Sequence, residues 1–278
     1  MALELNKVYC MDCVEGMKQI ADNSIDLIVT DPPYDVNYNK KSEILKKMDG
    51  RRDKQIERDK TYIEWSSDYN SLSNELFRVL KQNSHCYIFC GDKQITKWVN
   101  SMVQSGFKEP QILVWYKNKP SFDLTHGHKF LENKEFILFF QKGWKKLNTY
   151  KVERHLFRSV LNFDCSSDTK YHACAKPINL ISFLCKLSSN KGDVCLDLFC
   201  GSGNHLISFI RLERNYIGFE VSSVYHQQIL KRINYETKQT KLNMEAIEND
   251  TTRENKGIHE GQGEGSCEGD GFGSEHLP

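Results

Sequence analysis

The sequence predicts an α/β fold built on a mostly parallel sheet, and three observations carry that prediction. Residues 25–29 hold a continuous apolar run, Leu27-Ile28-Val29, too short for a helix and bounded by turn formers, as in a central parallel strand. A strand, a helix and that second strand all fit before residue 30, and so short a β-α-β unit implies parallel pairing. Near the other end, residues 193–221 read as strand, glycine turn, helix and strand.

Taken in order, residues 7–11 form the first expected strand, closed by Asp12, and residues 14–20 follow with helical spacing. The strand over 25–29 runs into Asp31-Pro32-Pro33-Tyr34, where two prolines end the ladder and fix the backbone. Pro32 lacks an N–H but keeps its carbonyl, Asp31 adds a carboxylate, and Tyr34 adds a flat apolar wall. Two acceptors and a ring at the carboxyl end of a strand suit a planar, amino-bearing ligand. A strand that simply ends in a Pro-Pro turn is the plainer reading.

From 35 to 68 the apolar pattern fails, with nine Lys/Arg and five Asp/Glu between residues 40 and 60. The stretch reads as a long polar loop, either a solvated surface or a lid that meets nucleic acid. Helical period returns over 72–80, and residues 85–90 make a compact strand ending at Gly91. Asp92 is expected to cap a helix reaching about residue 105. Two further strands, 112–116 and 135–140, flank a polar connection that holds His126 and His128. No third metal ligand accompanies that pair, and Cys10 and Cys13 lack a partner pair, so no metal site is expected.

Residues 144–171 have irregular apolar spacing, and residues 142–172 carry seven Lys/Arg against three Asp/Glu. Trp144, Tyr150, Phe157 and Phe163 are interleaved with that charge, as in a surface that meets phosphates and bases, or as a subdomain with Phe157 and Phe163 in its core. Pro177 opens a helix as a first-turn proline. The strand near 193–199 then feeds Gly201-Ser202-Gly203-Asn204, and a helix follows over 205–212. Such a turn lets the backbone approach a ligand, and the helix start presents free N–H groups to an anion. Glu220 ends the next strand, about 20 residues on, where an acid accepts ribose hydroxyls. Dinucleotide binding is the rival reading, although the third glycine of that fingerprint is missing.

Composition sets the limits. The chain has 278 residues, 39% hydrophobic and 27% charged, ordinary values for a soluble globular protein long enough for a full core. No signal peptide or apolar span of about 20 residues is visible, so no membrane role is expected. Ten cysteines without a pairing pattern suit reduced thiols and a cytoplasmic setting. The net charge of +1 hides a split: residues 237–278 hold four Lys/Arg and nine Asp/Glu, leaving 34 basic and 28 acidic residues before them. The basic body suits a polyanion. The tail, with seven of the 17 glycines, is expected to be disordered apart from a short helix near 242–247, and its deletion is expected to spare activity.

Asp31-Pro32-Pro33-Tyr34 ahead of Asp197-Leu198-Phe199-Cys200-Gly201-Ser202-Gly203 resembles the DNA amino-methyltransferases that use S-adenosylmethionine. Catalytic motif first and cofactor motif last is similar to the β group of that family. The resemblance spans about residues 5–236. It takes in Trp115-Tyr116-Lys117, Asn133-Lys134-Glu135-Phe136-Ile137-Leu138 and His172-Ala173-Cys174-Ala175-Lys176-Pro177. The last departs from the family's usual His-Pro-Thr-x-Lys-Pro, so the weight there falls on Lys176.

The resemblance implies a Rossmann-like, seven-stranded, mostly parallel sheet with a reversed last strand and helices on both faces. It divides the chain into catalytic parts at 1–141 and 173–236, an inserted target-recognition segment at 142–172 and the tail at 237–278. It implies a catalytic set of Asp31, Pro32, Pro33 and Tyr34. The cofactor set is Asp12, Asp31, Lys176, Asp197, Phe199, Gly201, Gly203, Asn204 and Glu220, with S-adenosylmethionine as cofactor and DNA as partner. Asp12 and Glu220 would hold adenine and ribose, and Gly201, Gly203 and Phe199 the methionine part. Asp at position 31 points to adenine N6, since the family's cytosine-N4 enzymes more often carry Ser there. Cytosine N4 stands as the alternative, followed by an inactive DNA-binding relative. A protein-glutamine methyltransferase fits less well, because its motif order is the reverse. A homodimer and a cognate restriction endonuclease are partners on which the sequence is silent. All of this requires the two turns to share one sheet edge with Tyr34 reachable.

Overall fold

The computed structural model describes residues 3–34, 68–118, 130, 132–165 and 175–239. By backbone contacts the chain divides into a unit Met1–Glu236 and a unit Thr237–Pro278. The polar loop after Tyr34, His126 and His128, residues 172–174 and the tail from residue 240 lie outside the described residues.

β1 (Lys7–Tyr9), α1 (Cys13–Met17) and β2 (Ile25–Thr30) make the opening unit. α2 (Tyr69–Val79) leads without a break into β3 (Leu80–Cys90), and a 3-10 turn joins β3 to α3 (Ile95–Gln104). β4 (Gln111–Tyr116), β5 (Lys134–Lys142) and β6 (Val160–Asn162) complete that half of the sheet. α4 (Ile178–Ser188), β7 (Val194–Asp197), α5 (Asn204–Arg211) and β8 (Asn215–Phe219) follow, and residues 223–239 form α6.

Among the described residues one sheet of eight strands results, in the order β1-β8-β7-β2-β3-β5-β4-β6. β2 lies at its centre, paired in parallel with β7 on one side and β3 on the other. Its side chains alternate between two cores, which is why its apolar run is continuous. Leu27 and Val29 join one with α4, α5 and α6 (Leu180, Phe209, Ile229), while Ile28 joins the other with α1, α2 and α3 (Met17, Leu76, Trp98). Helices therefore cover both faces, as expected.

Four expectations need correction. The sheet has eight strands rather than seven, because residues 160–162, inside the segment read as irregular, pair with β4. Three residues of which only Leu161 is buried show no period to read. The reversed strand is not the last: β5 runs antiparallel between β3 and β4. Strand direction leaves no mark on side-chain alternation. Asp92 does not cap α3; it lies inside the 3-10 turn, whose cap position is Gly91. Pro177 is the cap residue of α4, with extended backbone (φ −63°, ψ 130°), one position before the first helical turn.

Candidate active site

β2 and β7 leave the sheet side by side, with Leu27 opposite Cys195 and Ile28 opposite Leu196. Beyond them the two polar turns face each other. Pro32 is buried, and among the described residues no group donates to its carbonyl. The next carbonyl, of Pro33, accepts the side-chain amide of Gln94 at 3.1 Å, and the same nitrogen meets the Tyr69 hydroxyl at 3.1 Å. Gln94 is itself buried, so it pins the double-proline turn from behind.

Asp31 divides its carboxylate between two tasks. Oδ2 accepts the Lys176 ammonium at 2.5 Å, whereas Oδ1 is buried with no hydrogen-bond partner. Lys176, with 4% of its side chain exposed, also lies 3.3 Å from Glu135 Oε2. That same oxygen accepts the Tyr34 hydroxyl at 3.3 Å, and Glu135 Oε1 accepts Lys117. The ammonium of Lys176 sits 5.2 Å from the Tyr34 ring centre and 5.5 Å from that of Phe89. Tyr34 is half-buried rather than sealed, its ring over Gly91. Burial, with Asp31 and Glu135 nearby, pushes its hydroxyl well above the usual range. Burial alone would raise the Glu135 carboxyl too, but Lys176 and Lys117 outweigh it and hold the group below the ordinary value.

The second turn is built around two acids. Asp197, fully buried, accepts the Phe199 amide at 3.2 Å and meets His205 Nδ1 at 2.9 Å. Gly201 and Gly203 have φ of +48° and +80°, conformations that a side chain would strain. Glu220 clasps this turn: Oε2 accepts the Gly201 amide and Oε1 the Ser222 amide, each at 2.8 Å. Burial pushes its carboxyl up, against the pull of those two amides. Asn204 opens α5, and its side-chain amide donates to the Lys176 carbonyl at 2.7 Å, tying the two turns together. Asp12, exposed, caps α1 through one oxygen, from Val14 N at 2.9 Å and Glu15 N at 3.2 Å. Its strand lies beside β8, and Glu220 N donates to Tyr9 O at 3.0 Å, so both acids stand on the same edge.

Every residue of the expected catalytic and cofactor sets thus lies along one edge of the sheet. Glu135, Lys117, Gln94 and His205 had no role assigned from sequence. For Glu135 and Lys117 a signal existed: each is a charge at the end of an otherwise apolar or aromatic run. Gln94 and His205 offered none.

The basic, aromatic segment is placed differently from the expectation. β5 reverses, so residues after Lys142 start at the opposite edge. There Trp144 (79% exposed) and Tyr150 (81% exposed) stand far along the strand from Asp31. Lys145 and Lys151 donate to the carbonyls of Ser188 and Ser189, at the C-terminal end of α4, where cations belong. Phe163 packs on Phe183 at 5.5 Å, and Phe157 is 45% exposed. From β6 to Cys165 the segment is back at the catalytic edge, where Asp164 accepts Asn118. Among the described residues no cluster of three or more His, Cys, Asp or Glu side chains forms a metal site, and no helix is long and apolar enough to cross a membrane.

Comparison with known proteins bears on the family and the fold. A family model described as DNA methylase, covering adenine-N6 and cytosine-N4 enzymes, matches residues 25–231. The type II methyltransferase M.HpaI of Haemophilus parainfluenzae is 30% identical over 250 residues, 83% of this chain and 74% of its own length. M.HindIII of Haemophilus influenzae is 25% identical, over 82% of this chain and 95% of its own. Among solved structures, the M1.HpyAVI–SAM complex superposes with a TM-score of 0.59 at 23% identity, covering 81% of this chain and 98% of that one. The cytosine-N4-specific PvuII DNA methyltransferase gives 0.64 at 15%, covering 86% and 93%, a likeness of fold alone. The chain belongs to the N6/N4 family of DNA methylases.

Proposed function

We propose that this chain moves a methyl group to the N6 amine of an adenine turned out of duplex DNA. One observation carries the reading: Asp31 Oδ1 is buried and unpartnered, and among the described residues nothing donates to the carbonyl of the next residue, Pro32. A buried carboxylate oxygen without a donor is costly, and a group that donates two hydrogens from one nitrogen would satisfy both acceptors.

The cofactor is S-adenosylmethionine, which supplies an electrophilic methyl on a sulfonium. The residues present suit it. Gly201 and Gly203 leave two positions of the turn without a Cβ, Phe199 flanks it, and Glu220 and the unused oxygen of Asp12 are acceptors for ribose and adenine. Asp197 and Asn204 hold that turn in shape, and Lys176 belongs to both sets through its side chain and its carbonyl.

An exocyclic amine is a poor nucleophile because its lone pair is delocalised into the ring. Asp31 Oδ1 and the Pro32 carbonyl, each accepting one hydrogen, favour a pyramidal nitrogen whose lone pair points away from both. Positioning of this kind supplies much of a rate enhancement, with effective molarities on the order of 10⁵ M or more. Pro33 keeps the turn rigid, and Tyr34 offers a face for the extruded base, which must leave the duplex to be reached. Residues 1–141 and 173–236 form the two catalytic parts. Within 142–172 the reading of target sequence falls to the portion from β6 onward.

The test is direct. Plasmid DNA incubated with the protein and methyl-labelled S-adenosylmethionine, then digested to nucleosides, is expected to yield labelled N6-methyladenine. Labelled N4-methylcytosine would overturn the choice of base, and label in protein or nowhere would overturn the reading. In the same assay Asp31→Ala is expected to abolish transfer while cofactor binding persists.

A further inference from the structure

Asp31 and Glu135 grip one ammonium from two sides. Lys176 Nζ is 2.5 Å from Asp31 Oδ2 and 3.3 Å from Glu135 Oε2, with the Tyr34 and Phe89 rings on its flanks. A lone lysine beside a carboxylate is drawn between both oxygens, which would occupy Oδ1 as well. With Glu135 as a second anion beside it, Lys176 instead sits at Oδ2 alone, and Oδ1 has no partner. Glu135 also takes the Tyr34 hydroxyl on the oxygen that faces Lys176, fixing the ring at the mouth of the site. Lys117, on the other oxygen, matches the remaining charge, so among the described residues the cluster pairs two anions with two cations.

None of these Glu135 contacts reaches Asp31 Oδ1 or the Pro32 carbonyl. We infer that Glu135 is a positioning residue for the methyl transfer: it holds Lys176 and Tyr34 so that Asp31 presents one oxygen, Oδ1, to the amine. The inference rests on the role proposed above for Asp31.

The experiment compares wild type, Glu135→Gln and the charge-balanced pair Glu135→Gln/Lys117→Gln, by turnover on DNA, KM for DNA, cofactor affinity and melting midpoint. In Glu135→Gln, Lys176 spreads across both oxygens of Asp31, and Lys117, without its partner, adds a second competing cation. Turnover is expected to fall about 100-fold, the scale of a small misplacement of a reacting group, with cofactor affinity held within about threefold. The double variant removes the competing cation and is expected to recover about tenfold of that loss. Turnover of Glu135→Gln within about threefold of wild type would overturn the inference. So would a loss that tracks the melting midpoint and cofactor affinity and is not recovered in the double variant, since that marks a scaffold residue. A wild type that methylates no DNA removes the reading of Asp31 and this inference with it; an active wild type beside an unaffected Glu135→Gln removes only the role of Glu135.

Discussion

Thr30 accepts the amide of Leu198 on its side-chain oxygen at 3.2 Å, across the seam between β2 and β7. Thr30 directly precedes Asp31 and Leu198 directly follows Asp197, so this buried bond sets the two polar turns against each other. The backbone ladder between these strands pairs Leu27 with Cys195 and Ile28 with Leu196, and the hydroxyl extends the tie to the point where the turns begin.

Replacing Thr30 by Val keeps the shape but strands the Leu198 amide in a dry interior. Stability is expected to fall by about 1–3 kcal/mol, the cost of an unsatisfied buried donor, and turnover is expected to fall further than cofactor affinity. Thr30→Ser is expected to behave like wild type. Denaturant melts of the three proteins decide the point, and equal midpoints for Val and Thr would remove the proposed tie.

Gly203 has φ +80°, and a Cβ there would sit 3.4 Å from Ile229 of α6. The contact is tolerable, so the penalty of Gly203→Ala is mainly that of left-handed backbone, about 1–2 kcal/mol. If the strain relaxes by reshaping the turn, cofactor affinity is expected to drop about tenfold, measured by calorimetry. An unchanged affinity would mean that this turn does not line the cofactor.

What could be read from sequence, and what could not, follows from where each signal lives. β2 and β7 were legible because burial on both faces writes an unbroken apolar run, and Asp31, Tyr34, Gly201 and Glu220 were legible because each sits where such a run stops. The Glu135–Lys176–Asp31 cluster was not. Its members come from the start of β5, the approach to α4 and the end of β2, and only the insertion of a reversed β5 beside β3 brings them together. Sequence spacing records neither strand order nor direction. For the same reason Trp144 and Tyr150 looked like part of a nucleic-acid surface, although the reversal of β5 carries them to the far edge.

That placement has its own consequence. Both rings are largely exposed, and Lys108 lies over the Trp144 ring. Trp144→Ala/Tyr150→Ala is expected to leave KM for DNA within about twofold of wild type and stability within about 1 kcal/mol for the pair, as for surface substitutions. A large rise in KM for DNA would place nucleic acid on the edge opposite Asp31 and would require a different docking geometry.

At that far edge His85 ties β3 to the end of α4, and it should make the stability of the protein depend on pH. Nε2 lies 3.1 Å from the Lys145 carbonyl, which can only accept, so Nε2 carries the proton. Nδ1, 2.8 Å from Ser188 Oγ, is then the acceptor of the serine hydroxyl, and the Tyr87 hydroxyl, 2.7 Å from the same oxygen, donates to it. The neutral ring is therefore satisfied on both sides. Burial, with Lys145 nearby, lowers the group from its ordinary 6.5 to about 4. A histidine lowered in the folded state contributes its full stability above the ordinary value and loses it as the pH falls toward about 4. Between pH 7 and pH 5 that loss is about 2 kcal/mol, or roughly 4–8 °C in melting midpoint for a domain of this size. His85→Gln, which cannot titrate, is expected to be less stable at pH 7, where it gives up the fitted ring, yet to lose about 2 kcal/mol less than wild type on going to pH 5. Calorimetric melts of both proteins at the two pH values measure that difference directly. Equal losses for the two would mean that His85 titrates alike in the folded and unfolded chains, and its burial would not be the source of the pH dependence.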